Sequence, residues 1–276
     1  MSDEKTGWER SRRTHFDEIV ADYDKMRPEY PSELFGDIFR YAGAGNGKKA
    51  LEIGAGTGKA TAPFLGAGYD VTAVELGGNM AAFLRERFKG YKNFRVITAA
   101  FEDASLEENR YGLIYAASAF HWVNAEIGCP KAFRLLQSGG TVALFRYNIM
   151  AEDAEESYRD IQAVYEKYYH SYYTSNQRPV KKSKEEFENP SEILLAFGFE
   201  SLEAHGFKDV SMKFYDGTRT FGADEYIAWL DTMSDHRSLP ESNRAALYAG
   251  VKEAIIKHGG HYKVDFIFQL YMGRKW

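Results

Sequence analysis

The chain has 276 residues, of which 44% are hydrophobic and 27% charged, and its net charge at neutral pH is −5. At roughly 150 residues per domain this is one to two domains. An ordinary globular composition excludes a disordered tail, a collagen-like fibre and a disulfide-stapled mini-protein. The negative balance supplies no global basic field to gather phosphate backbones, so nucleic acid is not an expected partner. One cysteine, Cys129, has no internal disulfide partner and fits a reducing, cytoplasmic setting. The first sixteen residues are charged throughout and lack the apolar stretch of a signal peptide. The longest apolar-leaning run, around Leu113 to Val123, is too short to cross a bilayer, and no membrane partner is expected.

In chain order, residues 16–30 are polar and aromatic, and 31–41 read as a helix with Leu34, Phe35, Ile38 and Phe39 on one face. Five β-rich runs follow, at 48–53, 70–75, 94–100, 111–117 and 140–147. Helical spacing fills the gaps between them. Asn79 is placed to cap a helix over 79–88, where Met80, Phe83, Leu84 and Arg87 fall in i, i+3, i+4, i+7 register. A second helix spans 124–136 and stops before Gly139-Gly140. Strands alternating with helices imply parallel β-α-β units and a sheet covered on both faces. The expected fold is doubly wound α/β, with ligands at the carboxyl ends of the strands, just after Ile53, Glu75, Ala100, Ala117 and Tyr147. Beyond the core come a helical pattern over 152–173, a polar and basic stretch over 176–188 and a helix at 190–198. A strand near 210–215, helices at 223–235 and 241–257, and a last strand near 263–272 complete the chain.

The most informative segment is Ala50-Leu51-Glu52-Ile53-Gly54-Ala55-Gly56-Thr57-Gly58. Glycines 54, 56 and 58 after a buried strand allow a tight turn and close approach of a ligand to the backbone, beside the electropositive start of a helix. The dinucleotide fingerprint would place its third glycine at position 59, where Lys59 stands. Glu52 would repel a pyrophosphate but suits a ligand carrying an ammonium or sulfonium. Glu75, ending the next strand, is placed to accept both hydroxyls of a ribose.

The pattern E-x-G-x-G-x-G at 52–58 resembles the first motif of class I methyltransferases that use S-adenosylmethionine. That resemblance implies a Rossmann-like, mostly parallel seven-stranded sheet with a helical cap, whose last two strands lie near 210–215 and 263–272. It implies Gly54, Ala55, Gly56 and Gly58 against the cofactor, with Glu75 and Leu76 beside the ribose. After the third strand this family usually has Gly-Asp-x to hold adenine. Here the segment is Ala99-Ala100-Phe101-Glu102-Asp103, so the usual acid is missing and Phe101 and Glu102 are the candidates.

After the fourth strand, Ala116-Ala117-Ser118-Ala119-Phe120-His121-Trp122-Val123 lacks the [DN]-P-P-[YF] turn often found in enzymes that methylate base amino groups. The Ala119–Val123 run resembles a subgroup of small-molecule methyltransferases that includes trans-aconitate methyltransferase. So does Tyr23-x-x-x-Arg27-Pro28-x-Tyr30-Pro31, which that subgroup places before its first core helix to help close over the cofactor. The resemblance implies Ser118 and Phe120 at the cofactor, Tyr23 and Arg27 at its amino-acid end, and a small acceptor. Residues 1–42 would then be an N-terminal helical segment, 43–149 the cofactor core, and 150–276 the cap plus the last two strands.

His121 is the candidate base for an acceptor that must lose a proton, with a packed structural histidine as the competing reading. Arg146 is the candidate partner of an acceptor carboxylate, against a simple exposed arginine. No metal is expected: His258 and His261 flank Gly259-Gly260 as a helix-ending turn. Tyr165, Tyr168, Tyr169, Tyr172 and Tyr173 form one stripe on a helix, either a buried face or the wall of a lid. Three other readings stand beside small-molecule methyl transfer: a methyltransferase acting on tRNA or protein, a dinucleotide-dependent oxidoreductase, and a cofactor-binding protein without transferase activity.

Overall fold

A computed structural model describes residues 6–43, 48–151 and 155–276. The first residues of the helix expected over 152–173 fall at 152–154, and the charged start includes residues 1–5; both lie outside the described residues. Seven strands form one sheet in the order β3-β2-β1-β4-β5-β7-β6. They are β1 (Lys49–Ile53), β2 (Asp70–Glu75), β3 (Phe94–Thr98), β4 (Tyr111–Ala117), β5 (Leu136–Met150), β6 (Lys208–Gly222) and β7 (His261–Arg274). The five strands of the first half pair in parallel, with β1 between β2 and β4. The doubly wound α/β expectation and its seven strands are therefore met. The crossover from β3 back to β4 makes a switch point at β1, where such sheets bind ligands.

The chain divides into two compact units. One contains Glu29–Tyr147, Lys182–Tyr215 and Phe268–Trp276; the other contains residues up to Pro28, Asn148–Lys181 and Asp216–Ile267. Three consecutive blocks, 1–42, 43–149 and 150–276, do not reproduce this interleaving. Three of the divisions fall inside β5, β6 and β7, and α2 (Ser32–Ala42) groups with the core because its apolar face is buried there.

In the sheet-core unit, strand alternation sorts side chains to two faces. Leu51, Ile53, Ile114, Ala116, Val142 and Leu144 face a cluster containing residues of α5 (Ala125–Leu135) and α8 (Pro190–Phe197). On the other face, α2 and α3 (Thr61–Gly66) bring Phe35 and Phe64 edge to face at 5.7 Å. Phe64 stacks on Tyr115 at 3.9 Å. Phe35, Phe64 and Tyr115 thus fill the core of this unit through edge-on and stacked contacts.

Several element boundaries differ from expectation for local reasons. Gly139-Gly140 does not stop a helix: α5 ends at Leu135 and β5 begins at once. Tyr111 pairs with Leu136 but Leu113 pairs with Thr141, so the glycines lie in a bulge. There the α-carbon of Gly140 is packed too tightly against Gln137 and Tyr111 carbonyls for a side chain. Likewise Asn79 is not a cap, because α4 (Gly78–Arg87) already starts after Gly77.

In the other unit, α1 (Val20–Met26), α6 (Glu156–Tyr168), α9 (Ala223–Leu230), α10 (Ser234–Arg237) and α11 (Glu241–Lys257) surround a buried polar network. The helix expected to reach residue 173 ends at Tyr168, and the tyrosines beyond it sit in a turn. Asp235 Oδ2 accepts from Tyr169 Oη, and the Asp235 carbonyl accepts from Tyr173 Oη at 3.0 Å. His236 contacts Asp235 Oδ1 at 3.1 Å and Tyr165 Oη at 2.8 Å. Asn176 donates to Tyr169 Oη and to the Thr6 carbonyl. Tyr169 and Tyr173 are therefore interior hydrogen-bonding residues rather than an open aromatic wall. Back in the sheet-core unit, the short α7 (Lys184–Phe187) has a capping box in which Ser183 and Glu186 exchange hydrogen bonds. Among the described residues no helix is long and apolar enough to cross a membrane.

Candidate cofactor site at the switch point

The glycine turn leaves β1 at Gly54, whose N–H donates to the Val74 carbonyl at 2.8 Å and keeps the turn on the end of β2. Gly54 has φ +68°, and a Cβ there would stand 2.6 Å from the Cβ of Ala119. Gly58 has φ +87° and lies against Phe88, where a Cβ would come within 2.4 Å of the ring. Both positions need glycine for backbone angle and for space.

Glu75 stands at the carboxyl end of β2, 9% exposed. Its Oε2 accepts from the Gly56 N–H and its Oε1 from the Gly77 N–H, each at 2.8 Å. One carboxylate thereby ties the glycine turn to the chain after β2, and Leu76 is half-buried between them in sequence. A carboxylate oxygen has capacity for more than one donor, so the same group fits a ribose diol. The glycine turn and this acid thus meet at the switch point, where sheets of this kind bind ligands.

Glu52 does not line open space. Period-two alternation turns it to the face of Tyr115, and it is completely buried. Thr61 Oγ1 and Tyr115 Oη donate to its Oε2, at 2.5 and 3.0 Å, while Oε1 is buried without a partner. Burial pushes its pKa up to about 8, against the lowering effect of those two donors. The expected ligand-facing carboxylate is instead an enclosed acid beneath the turn.

Two aromatic candidates also belong to the core. Phe101 is 4% exposed, with the Lys131 ammonium 5.3 Å from its ring centroid, and it offers no open face to adenine. Phe120 is 3% exposed and meets Phe199 edge-on at 5.8 Å. Glu102 is half-buried and accepts from the Asn124 N–H at 3.2 Å, at the start of α5. Lys131 secures the same loop through the carbonyls of Glu102 and Ala104, at 3.1 and 2.6 Å.

At the end of β4, Ser118 has φ +49°, unusual for a residue with a side chain. Its N–H donates to the Phe145 carbonyl at 2.7 Å, and its Oγ accepts from Tyr30 Oη at 2.8 Å. Sequence spacing gave no sign of this Tyr30–Ser118 contact, which joins residues 88 apart. His121 follows in a single 3-10 turn, Phe120–Trp122, half-buried with its ring tilted against Trp122 at 5.2 Å. Arg146 is not a free surface arginine: its Nη1 donates to the Ala196 carbonyl in the last turn of α8 at 2.5 Å. That contact uses the electronegative end of the helix as the guanidinium's partner.

Tyr23 and Arg27 belong to the other compact unit. The Arg27 guanidinium lies 5.0 Å from the Tyr23 ring centroid, and its Nη2 donates to the Thr232 carbonyl.

Residues 51–144, which contain the glycine turn, Glu75 and His121, match the family model described as a methyltransferase domain. This segment is a methyltransferase domain. The domain implies S-adenosylmethionine as methyl donor. The Saccharomyces cerevisiae protein named probable S-adenosylmethionine-dependent methyltransferase CRG1 is 30% identical over 71% of this chain and 66% of its own. An uncharacterized methyltransferase of Mycobacterium tuberculosis is also 30% identical, over 47% of this chain and 50% of its own. The chain thus spans about half the length of that mycobacterial relative.

Among solved structures, one from Anaeromyxobacter dehalogenans gives a TM-score of 0.60 at 20% identity, over 90% of this chain and 97% of that one. Haemonchus contortus phosphoethanolamine N-methyltransferase 2, in complex with S-adenosyl-L-methionine, gives 0.54 at 17% identity, over 98% of this chain and 60% of that one. At this level of identity the likeness shows the fold: the class I methyltransferase, Rossmann-like sheet expected from the motif.

Proposed function

We propose that the chain transfers a methyl group from S-adenosylmethionine to a small-molecule acceptor that carries a carboxylate. The observation that carries the donor half is the pair of hydrogen bonds from Gly56 and Gly77 to Glu75 at the switch point, inside the methyltransferase domain. The acceptor half is supported by the Ala119–Val123 run, by the absence of a [DN]-P-P-[YF] turn after β4, and by the front motif around Arg27 and Tyr30.

When bound, the donor supplies an electrophilic methyl on a sulfonium. The residues of the chain have the task of alignment and water exclusion, since in-line displacement needs little further chemistry from the protein. Glu75 fixes the ribose, and the bare backbone of Gly54 to Gly58 takes the methionine portion. A carboxylate acceptor attacks without losing a proton, the carbon–sulfur bond breaks, and its electron pair stays on sulfur. A hydroxyl or amine acceptor must also give up a proton, and His121, in the turn after β4, is the candidate base.

The test is incubation with methyl-labelled S-adenosylmethionine and a whole-cell extract that contains metabolites, tRNA and protein. The reading expects label in a small-molecule fraction from which alkali releases it, as for a methyl ester. Label confined to tRNA or protein would overturn the acceptor assignment.

A further inference from the structure

Glu52 is the one buried acid at the site that the proposed transfer does not use. It is wholly enclosed, no cation pairs with it among the described residues, and its Oε1 is orphaned. The groups acting on it are the Thr61 hydroxyl from α3, the Tyr115 hydroxyl from β4 and the carboxylate of Glu75 from β2. A carboxyl that lacks a cation, is closed off from solvent and feels a second carboxylate is stable as the neutral acid. Burial and Glu75 both push its pKa upward, to about 8.

We propose that Glu52 carries a proton in the unliganded protein and releases it when the cationic methyl donor settles on the glycine turn. The inference rests on the donor site proposed above. No direct contact is needed, because an opposite charge within about 4–6 Å already favours the ionised form of a buried acid. Thr61 and Tyr115 are in place to hold the resulting carboxylate, since both already donate to Oε2. Glu52 then acts as a positioning residue: its charge appears only in the complex and retains the donor's cationic end. Because binding favours loss of the proton, donor affinity rises with pH up to the titration range of the free acid and levels off above it.

The experiment is calorimetric titration of the full chain with S-adenosylhomocysteine, whose amino-acid end keeps its ammonium, in buffers of different ionisation enthalpy at pH 7.5. Glu52→Gln imitates the protonated acid and serves as reference, so protons exchanged by the ligand itself cancel. Wild type is expected to release more protons on binding than Glu52→Gln does. Equal proton counts with binding intact would overturn the coupling and leave the donor site standing. Failure of wild type to bind S-adenosylhomocysteine would overturn the donor site itself, and this inference with it. Should Glu52→Gln not fold, the infrared carbonyl band of a protonated carboxylic acid decides on wild type alone. Loss of that band on adding S-adenosylhomocysteine supports the coupling, and its persistence overturns it.

Discussion

The Glu75 carboxylate accepts the Gly56 N–H across the end of the sheet, linking the second strand's last residue to the turn that leaves the first. This single contact shapes the glycine turn and holds in place the carboxylate proposed above as the ribose acceptor. Glu75→Ala is expected to weaken S-adenosylhomocysteine binding by about 1–3 kcal/mol, the usual loss for a charged hydrogen-bonding partner. Calorimetry reads it directly, and an unchanged affinity would remove Glu75 from the ribose.

Gly54→Ala tests the turn from the other side. The new methyl would stand 2.6 Å from the Cβ of Ala119 on a backbone at φ +68°. Strain and overlap together cost about 2–4 kcal/mol. A lowered melting temperature is expected, and Gly54→Ala with wild-type stability would contradict the described packing.

Asp37 on α2 pins β6 within the same unit, through Lys213 at 2.7 Å and Tyr215 at 2.6 Å. Burial raises its pKa, but the bonds from Lys213, Tyr215 and Arg40 prevail and hold it at about 2. The folded-state pKa lies below the unfolded value, so the contribution is present above about pH 4 and fades as pH falls toward 2. Because Lys213 and Arg40 are well exposed, the contribution is discounted to about 1–2 kcal/mol. In urea unfolding, Asp37→Asn should be less stable than wild type at pH 7 and nearly equal to it near pH 2.

Tyr169→Phe removes the donor to the buried Asp235 carboxylate and the acceptor for Asn176. A buried charge short of a donor costs about 1–3 kcal/mol. Thermal unfolding should show that loss, whereas Tyr172→Phe, at a half-buried position outside the contacts to Asp235, should change stability less.

Cys129 is 2% exposed, and burial pushes its thiol up to about 12. Since the thiolate is the reactive form, disulfide reagents should react with the native protein far more slowly than with protein in denaturant. Rapid native labelling would contradict the described burial.

Much of the core was legible because its signals are local. Short β-rich runs separated by helical spacing place β1 to β5 within a few residues, and the glycine spacing with Glu75 locates the switch point. What escaped depends on partners distant in sequence. Glu52 lies in a strand buried on both faces, where no polar side advertises its direction, and its partners Thr61 and Tyr115 come from two other elements. Phe101 and Phe120 occupy strand-end positions that suit a ligand wall equally well, yet packing claims both for the core. The tyrosine spacing at 165–173 fits one helical face, but hydroxyl contacts to Asp235 and His236 accompany a chain that turns after Tyr168. Arg146 was marked by its strand end, whereas its carbonyl partner on α8 is 50 residues away.

The glycine turn and Glu75 are the proposed site for S-adenosylmethionine. Parallel calorimetric titrations of wild type and Glu75→Ala with S-adenosylhomocysteine and with NAD(H) test it most directly. Binding of S-adenosylhomocysteine by wild type, weakened in Glu75→Ala and with no heat from NAD(H), is the expected result. Tight binding of NAD(H) alone would contradict it.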